Sequence, residues 1–123
     1  MDFQLFFITS AVLLFFDSIY LYLVKEYFIN QIIRIQRVTI QPNYLSAVLC
    51  YILLAFALYY FILLEKRPIT DAFLLGFCIY GIFETTNWAI LKKWKWQTVV
   101  MDTLWGATLF ALTTFIVRRF LHR

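Results

Sequence analysis

YLSAVLCYILLAFALYYFILL, residues 44–64, carries no charged side chain and is long enough to cross a bilayer as a helix, which takes roughly 20 apolar residues. In hydrocarbon every backbone N–H and C=O must be bonded within the chain, so a spanning stretch of this kind reads as a helix. Three further stretches, 3–24, 71–91 and 97–117, are of similar length and nearly as apolar. The four together take up most of the 123 residues and leave no room for a separate catalytic domain. Composition agrees: 63% of residues are hydrophobic and 15% charged, against about 45–50% and about 25% in soluble domains. Mean hydropathy is +0.79. The sequence therefore predicts an all-α membrane protein, an up-down four-helix transmembrane bundle forming one domain over 1–123, multi-pass, with the lipid bilayer as its first partner.

The connections refine this topology. KEYFINQIIRIQR, residues 25–37, puts Phe28, Ile29, Ile32 and Ile33 on one helical face and Asn30, Gln31 and Arg34 on the other, which predicts an amphipathic interfacial helix between helices one and two. From Ile33 the apolar positions alternate instead (Ile35, Val38, Ile40), and Pro42 and Asn43 suit the start of helix two. The other two loops, residues 65–68 and 92–96, are short, and short loops join antiparallel neighbours. Segment 3–24 has no basic n-region and no small-residue cleavage site, so it reads as helix one rather than a signal peptide.

The net charge of +4 gathers at helix ends, where lysines and arginines act as interface anchors, so a nucleic-acid partner is not expected. Loops one and three carry Lys25, Arg34, Arg37, Lys92, Lys93 and Lys95; loop two and the tail carry Lys66, Arg67, Arg118, Arg119 and Arg123. The positive-inside rule tips the first set toward the cytoplasm. Trp94 and Trp96 flank lysines and read as an interfacial belt, and His122 reads as solvated. Cys50 and Cys78 differ in depth by about 10 Å at ~1.5 Å rise per residue, too much for a disulfide. Small residues such as Ala47, Ala55, Gly76 and Gly81 allow close packing and a homo-oligomer.

Three of the seven acidic residues, Asp17, Glu84 and Asp102, lie inside the apolar segments, where ionisable groups cost a few kcal/mol and mark function or a specific partner. On the up-down topology Asp17 and Glu84 each sit about 12 Å below the surface formed by loops one and three, and Asp102 about 8 Å below it. All three fall in one leaflet. Asp17 shares a helical stripe with Ser10, Leu13 and Tyr20; Glu84 with Tyr80, Asn87 and Trp88; Asp102 with Trp105, Gly106 and Leu109. A carboxylate is costliest against lipid, so these stripes face inward. Thr85 and Thr86 can bond back to the preceding turn, whereas Glu84 and Asn87 need partners on other helices. No Lys or Arg lies deep enough to neutralise the carboxyls. Either they keep protons or a cation shares the site.

The motifs Phe15-Phe16-Asp17 with Tyr20-Leu21, Gln41-Pro42-Asn43, Tyr80-Gly81 through Glu84 to Thr86-Asn87, and Val100-Met101-Asp102-Thr103-Leu104-Trp105-Gly106 run nearly the whole chain in order. They resemble a family of small predicted membrane proteins, domain of unknown function 2177. The resemblance implies a four-helix membrane protein with Asp17, Pro42, Asn43, Asn87, Asp102, Trp105 and Gly106 as signature positions, and no established activity. Where the family usually has Asp in the helix-three motif this chain has Glu84, whose extra methylene shifts the reach of the carboxyl.

The candidate ligand or ion-binding cluster is thus Asp17, Glu84, Asn87 and Asp102, lined by Tyr20, Tyr80, Trp88, Trp105 and Gly106, with Pro42 and Asn43 as a structural motif. Oxygen-only ligands point to protons or a hard cation; no intramembrane His or thiolate cluster suggests zinc or copper, and no cofactor is expected. The reading carried forward is proton or cation binding or conduction. One alternative is a lipid-binding protein or lipid-modifying enzyme using a carboxyl pair as acid and base, with Trp88 and Trp105 in its pocket. Another is a structural subunit whose polar cluster only holds helices together. No metal-hydrolase, nucleophile-elbow or phosphate-binding motif is present, so an enzyme is the less favoured reading.

Overall fold

The computed structural model describes residues 3–36, 44–91 and 94–121, and the side chains of 3–25, 45–91 and 94–121. Among these the chain is all helical: α1 Phe3–Gln36, α2 Tyr44–Leu58 continued by a π-helical turn Tyr59–Leu63, α3 Ile69–Ile90 and α4 Trp96–Leu121. Each helix contains a candidate span, Phe3–Lys25, Leu45–Leu63, Ile69–Ile90 and Trp96–Leu121, so the protein is a multi-pass membrane protein.

The separate interfacial helix is corrected. Residues 25–36 continue α1 without interruption, because neither Pro nor Gly stands between Phe3 and Gln36 to end it. Residue 37, Pro42, Asn43 and His122 lie outside the described residues. The second and fourth helices start within one residue of expectation, whereas α3 begins two residues early because Pro68, with φ −64 and ψ 159, already serves as its N-cap.

Register shows the alternating direction. Asp17 meets Trp105 and Tyr20 meets Asp102, so α1 and α4 are antiparallel. Phe6 packs on Tyr59 while Asp17 meets Tyr51, which makes α1 and α2 antiparallel as well. The α2–α3 connection is a tight helix stop. Arg67 N–H donates to the Ile62 carbonyl at 2.8 Å and Lys66 N–H to the Leu63 carbonyl at 3.2 Å, with Lys66 at φ 53 in the left-handed position that usually holds Gly.

α4 is the central helix. It buries Thr98, Asp102, Gly106, Phe110, Thr114 and Val117 against its neighbours. α3 packs along it most closely, α1 lies on its other side, and α2 rests on α1 while scarcely touching α3. The α3–α4 seam needs its glycines: a Cβ on Gly76 would collide with the backbone carbonyl of Gly106, and a Cβ on Gly106 with the Tyr80 ring. Close backbone approach through small residues is the usual way helices associate where lipid removes the hydrophobic driving force. α1 presents Leu5, Thr9, Leu13 and Asp17 as its buried stripe. Thr9 Oγ1 donates back to the Leu5 carbonyl at 2.7 Å and Thr114 Oγ1 to that of Phe110 at 2.8 Å, whereas the buried Thr103 and Thr113 hydroxyls have no partner among the described residues. Outward faces carry Phe7, Leu23, Leu53 and Ile82, as a lipid-facing surface should.

Candidate functional site

Asp17, Glu84 and Asp102 come together from α1, α3 and α4 near the end of the bundle that carries the α3–α4 loop. All three are buried, Glu84 completely. Each is met by donors. Asp17 accepts one hydrogen bond from the Trp105 indole at 3.0 Å and another from the Tyr51 hydroxyl. Asp102 accepts from the Tyr20 hydroxyl at 3.3 Å. Glu84 Oε1 accepts from the Trp94 indole at 3.0 Å. Tyr20 is held for this role by stacking flat on Trp105, with centroids 4.6 Å apart and planes 4° from parallel.

The remaining oxygen of Glu84 is different. Oε2 is buried and has no donor among the described residues. The Glu84 and Asp102 carboxyls nevertheless lie within hydrogen-bonding reach of each other. Two ionised carboxylates are both acceptors, so such a pair is bonded only when one of them carries a proton. A buried acceptor left without a donor costs about 1–3 kcal/mol, more when charged.

Beside the pair is a cavity of about 450 Å³ reached by all four helices. Asp17 and Tyr20 come from α1, the stripe Ala47, Cys50, Tyr51 and Leu54 from α2, Tyr80, Phe83 and Glu84 from α3, and Asp102 from α4. Trp94, from the α3–α4 loop, also lines it. Phe83, Leu21, Ala47 and Cys50 are exposed while lining the cavity, so its mouth lies between α2 and α3, where the helices scarcely touch. Both cysteines are free.

Not every residue singled out from sequence is brought in. Asn87 is half-buried and outside the cavity lining. Trp88 is 51% exposed and does not line the cavity, because each i to i+4 step turns a straight helical stripe by about 40° and carries Trp88 away from Glu84's direction. Gly106 serves the seam beneath Tyr80. Trp105 acts through its bond to Asp17. Two members were missed. Trp94 was expected in an interfacial belt, but it is 7% exposed and holds Glu84, and its neighbouring lysines gave no sign of this; Trp96 is 58% exposed. Tyr51 did carry a signal: it lies about 10 Å below the start of α2, at the depth of Asp17.

The whole of this arrangement falls in a region, residues 3–118, that matches the family described as predicted membrane protein (DUF2177). The chain belongs to that family. No curated protein and no solved structure matches the chain. Membership in DUF2177 carries the membrane assignment and no activity. Any function for this member has to be argued from its own side chains.

Proposed function

We propose that the cluster is a proton-binding site within a small membrane binding or transport protein, with Glu84 and Asp102 sharing one proton at the base of the cavity. The observation that carries the reading is Glu84 itself: wholly buried, bonded to Trp94 through one oxygen, with no donor for the other among the described residues, and within reach of the Asp102 carboxyl. A shared proton satisfies both oxygens and removes one of two neighbouring negative charges from a low-dielectric site. Asp17 would act as a fixed partner, since both its oxygens already accept bonds from Trp105 and Tyr51.

The arrangement favours a proton over a hard cation. Among the described residues no three of His, Cys, Asp and Glu converge with the spacing a metal ion needs. A purely structural role accounts for Asp17 well, but leaves Glu84 Oε2 without a purpose. The test is to replace Asp17, Glu84 and Asp102 singly by Asn or Gln and measure stability and proton flux in proteoliposomes. Loss of flux in Glu84→Gln and Asp102→Asn with folding retained is the expected result. Unchanged flux with lost stability would reduce the cluster to a helix clamp.

A further inference from the structure

A proton alone does not need a cavity of about 450 Å³. That volume lies in the range of small-molecule sites, about 300–1,000 Å³. Its walls are apolar or aromatic, and its polar groups are one-sided. The described lining residues include Asp17, Glu84 and Asp102 but no Lys, Arg or His. The nearby donors, Tyr20, Tyr51, Trp94 and Trp105, are already committed to those carboxyls. Glu84 lines the cavity, is wholly buried, and keeps one oxygen without a donor among the described residues. Positive charge is what this site lacks.

The aromatic rings point the same way. Tyr20, Tyr51, Tyr80, Phe83 and Trp94 surround the space, and ring faces attract cations, the more so when water is excluded. Access is lateral. Trp94 lines the cavity from the α3–α4 loop, and the exposed lining residues Leu21, Ala47, Cys50 and Phe83 all lie on the candidate membrane spans. An occupant therefore arrives dissolved in the bilayer.

We infer that the cavity takes up a singly charged lipophilic organic cation from the bilayer, in exchange for the proton shared by Glu84 and Asp102. The inference rests on the proton-binding reading above. The exchange balances: one O–H bond breaks, the proton leaves to water, and one positive charge replaces it. The other titratable groups facing the pair are Asp17 and Tyr20 on α1, Cys50 and Tyr51 on α2 and Tyr80 on α3. A small inorganic cation would leave the cavity unfilled, and a neutral lipid would leave the negative charge of the three carboxyls without a counter-charge.

The probe is tetraphenylphosphonium, added to the purified full chain in uncharged detergent, with tetraphenylborate as an anion of the same shape. Saturable binding of the cation is expected, with about one proton released per cation bound by linkage and no comparable binding of the anion. Glu84→Gln should weaken cation binding about tenfold or more and abolish proton release. Ala47→Trp, which fills the cavity and leaves every carboxyl in place, should also weaken binding. It decides the matter if Glu84→Gln fails to fold. Absence of saturable binding, equal binding of the anion, or full affinity in Ala47→Trp overturns the inference. Proton flux lost in the carboxyl variants but no cation binding would sink the inference alone; cation binding without proton release would count against both readings.

Discussion

α3 meets α4 and α2 in opposite ways, and the contrast separates what builds this bundle from what it can do. Along α4 the backbones approach until Gly76 and Gly106 leave no space for a Cβ, and nearer the α3–α4 loop the same seam brings Glu84 to Asp102. Toward α2 the same helix scarcely makes contact beyond the Lys66–Arg67 turn, and there the cavity opens beside the carboxyls supplied by α1, α3 and α4. Lipid gives helices little reason to associate through apolar area alone, so close contact follows the glycines of the α3–α4 seam, and the cavity lies where Ile79 and Phe83 of α3 face α2 without them. The tight side makes the fold and joins the two carboxyls; the open side gives access to them.

The comparison breaks most sharply at the seam. Gly76→Leu should destabilise the bundle by about 3 kcal/mol or more, measured by denaturant unfolding in detergent, since the obstacle is backbone rather than a side-chain tip. A tolerated leucine would mean that α3 and α4 are not in contact there. Trp94→Phe comes next. It removes the donor from a buried carboxyl and should lower stability by about 1–3 kcal/mol. If Trp94 is instead an interfacial anchor, the phenyl ring should serve nearly as well.

On the open side effects should be smaller. Tyr51→Phe removes the bond that holds α2 to Asp17, worth about 0.6 kcal/mol for an average interhelical hydrogen bond. Its clearer sign is faster labelling of Cys50 by a membrane-permeant thiol reagent, because α2 is then freer to swing from the cavity. Unchanged labelling would show that packing on α1 alone holds it. Lys66→Gly should be the mildest, stabilising the turn by about 0.5–1 kcal/mol by relieving the left-handed conformation of a non-glycine residue, with no effect on cation binding.

Much of this was legible in the sequence because a bilayer imposes length and polarity rules that act residue by residue. The four spans follow from hydropathy, and the common depth of Asp17, Glu84 and Asp102 follows from helical rise on an alternating topology. What was not legible depends on azimuth and on loops. Trp88 shares a stripe with Glu84 on paper, yet helical drift turns it outward. Trp94 lies beside lysines, and only the fold of the short α3–α4 loop sends its indole inward. Tyr51 stood at the right depth, but depth alone does not choose a face. The continuous α1 shows a further limit: amphipathicity marks where an environment changes, which need not be where a helix stops.

The central claim is that one proton sits between two buried carboxyls. Infrared spectroscopy of the purified protein at neutral pH reads this directly, through the C=O stretch of a protonated carboxyl and its shift in heavy water. The wild type should show such a band, and Glu84→Gln and Asp102→Asn should each lose it, while Asp17→Asn keeps it. A wild-type spectrum with no protonated carboxyl at neutral pH would contradict the account.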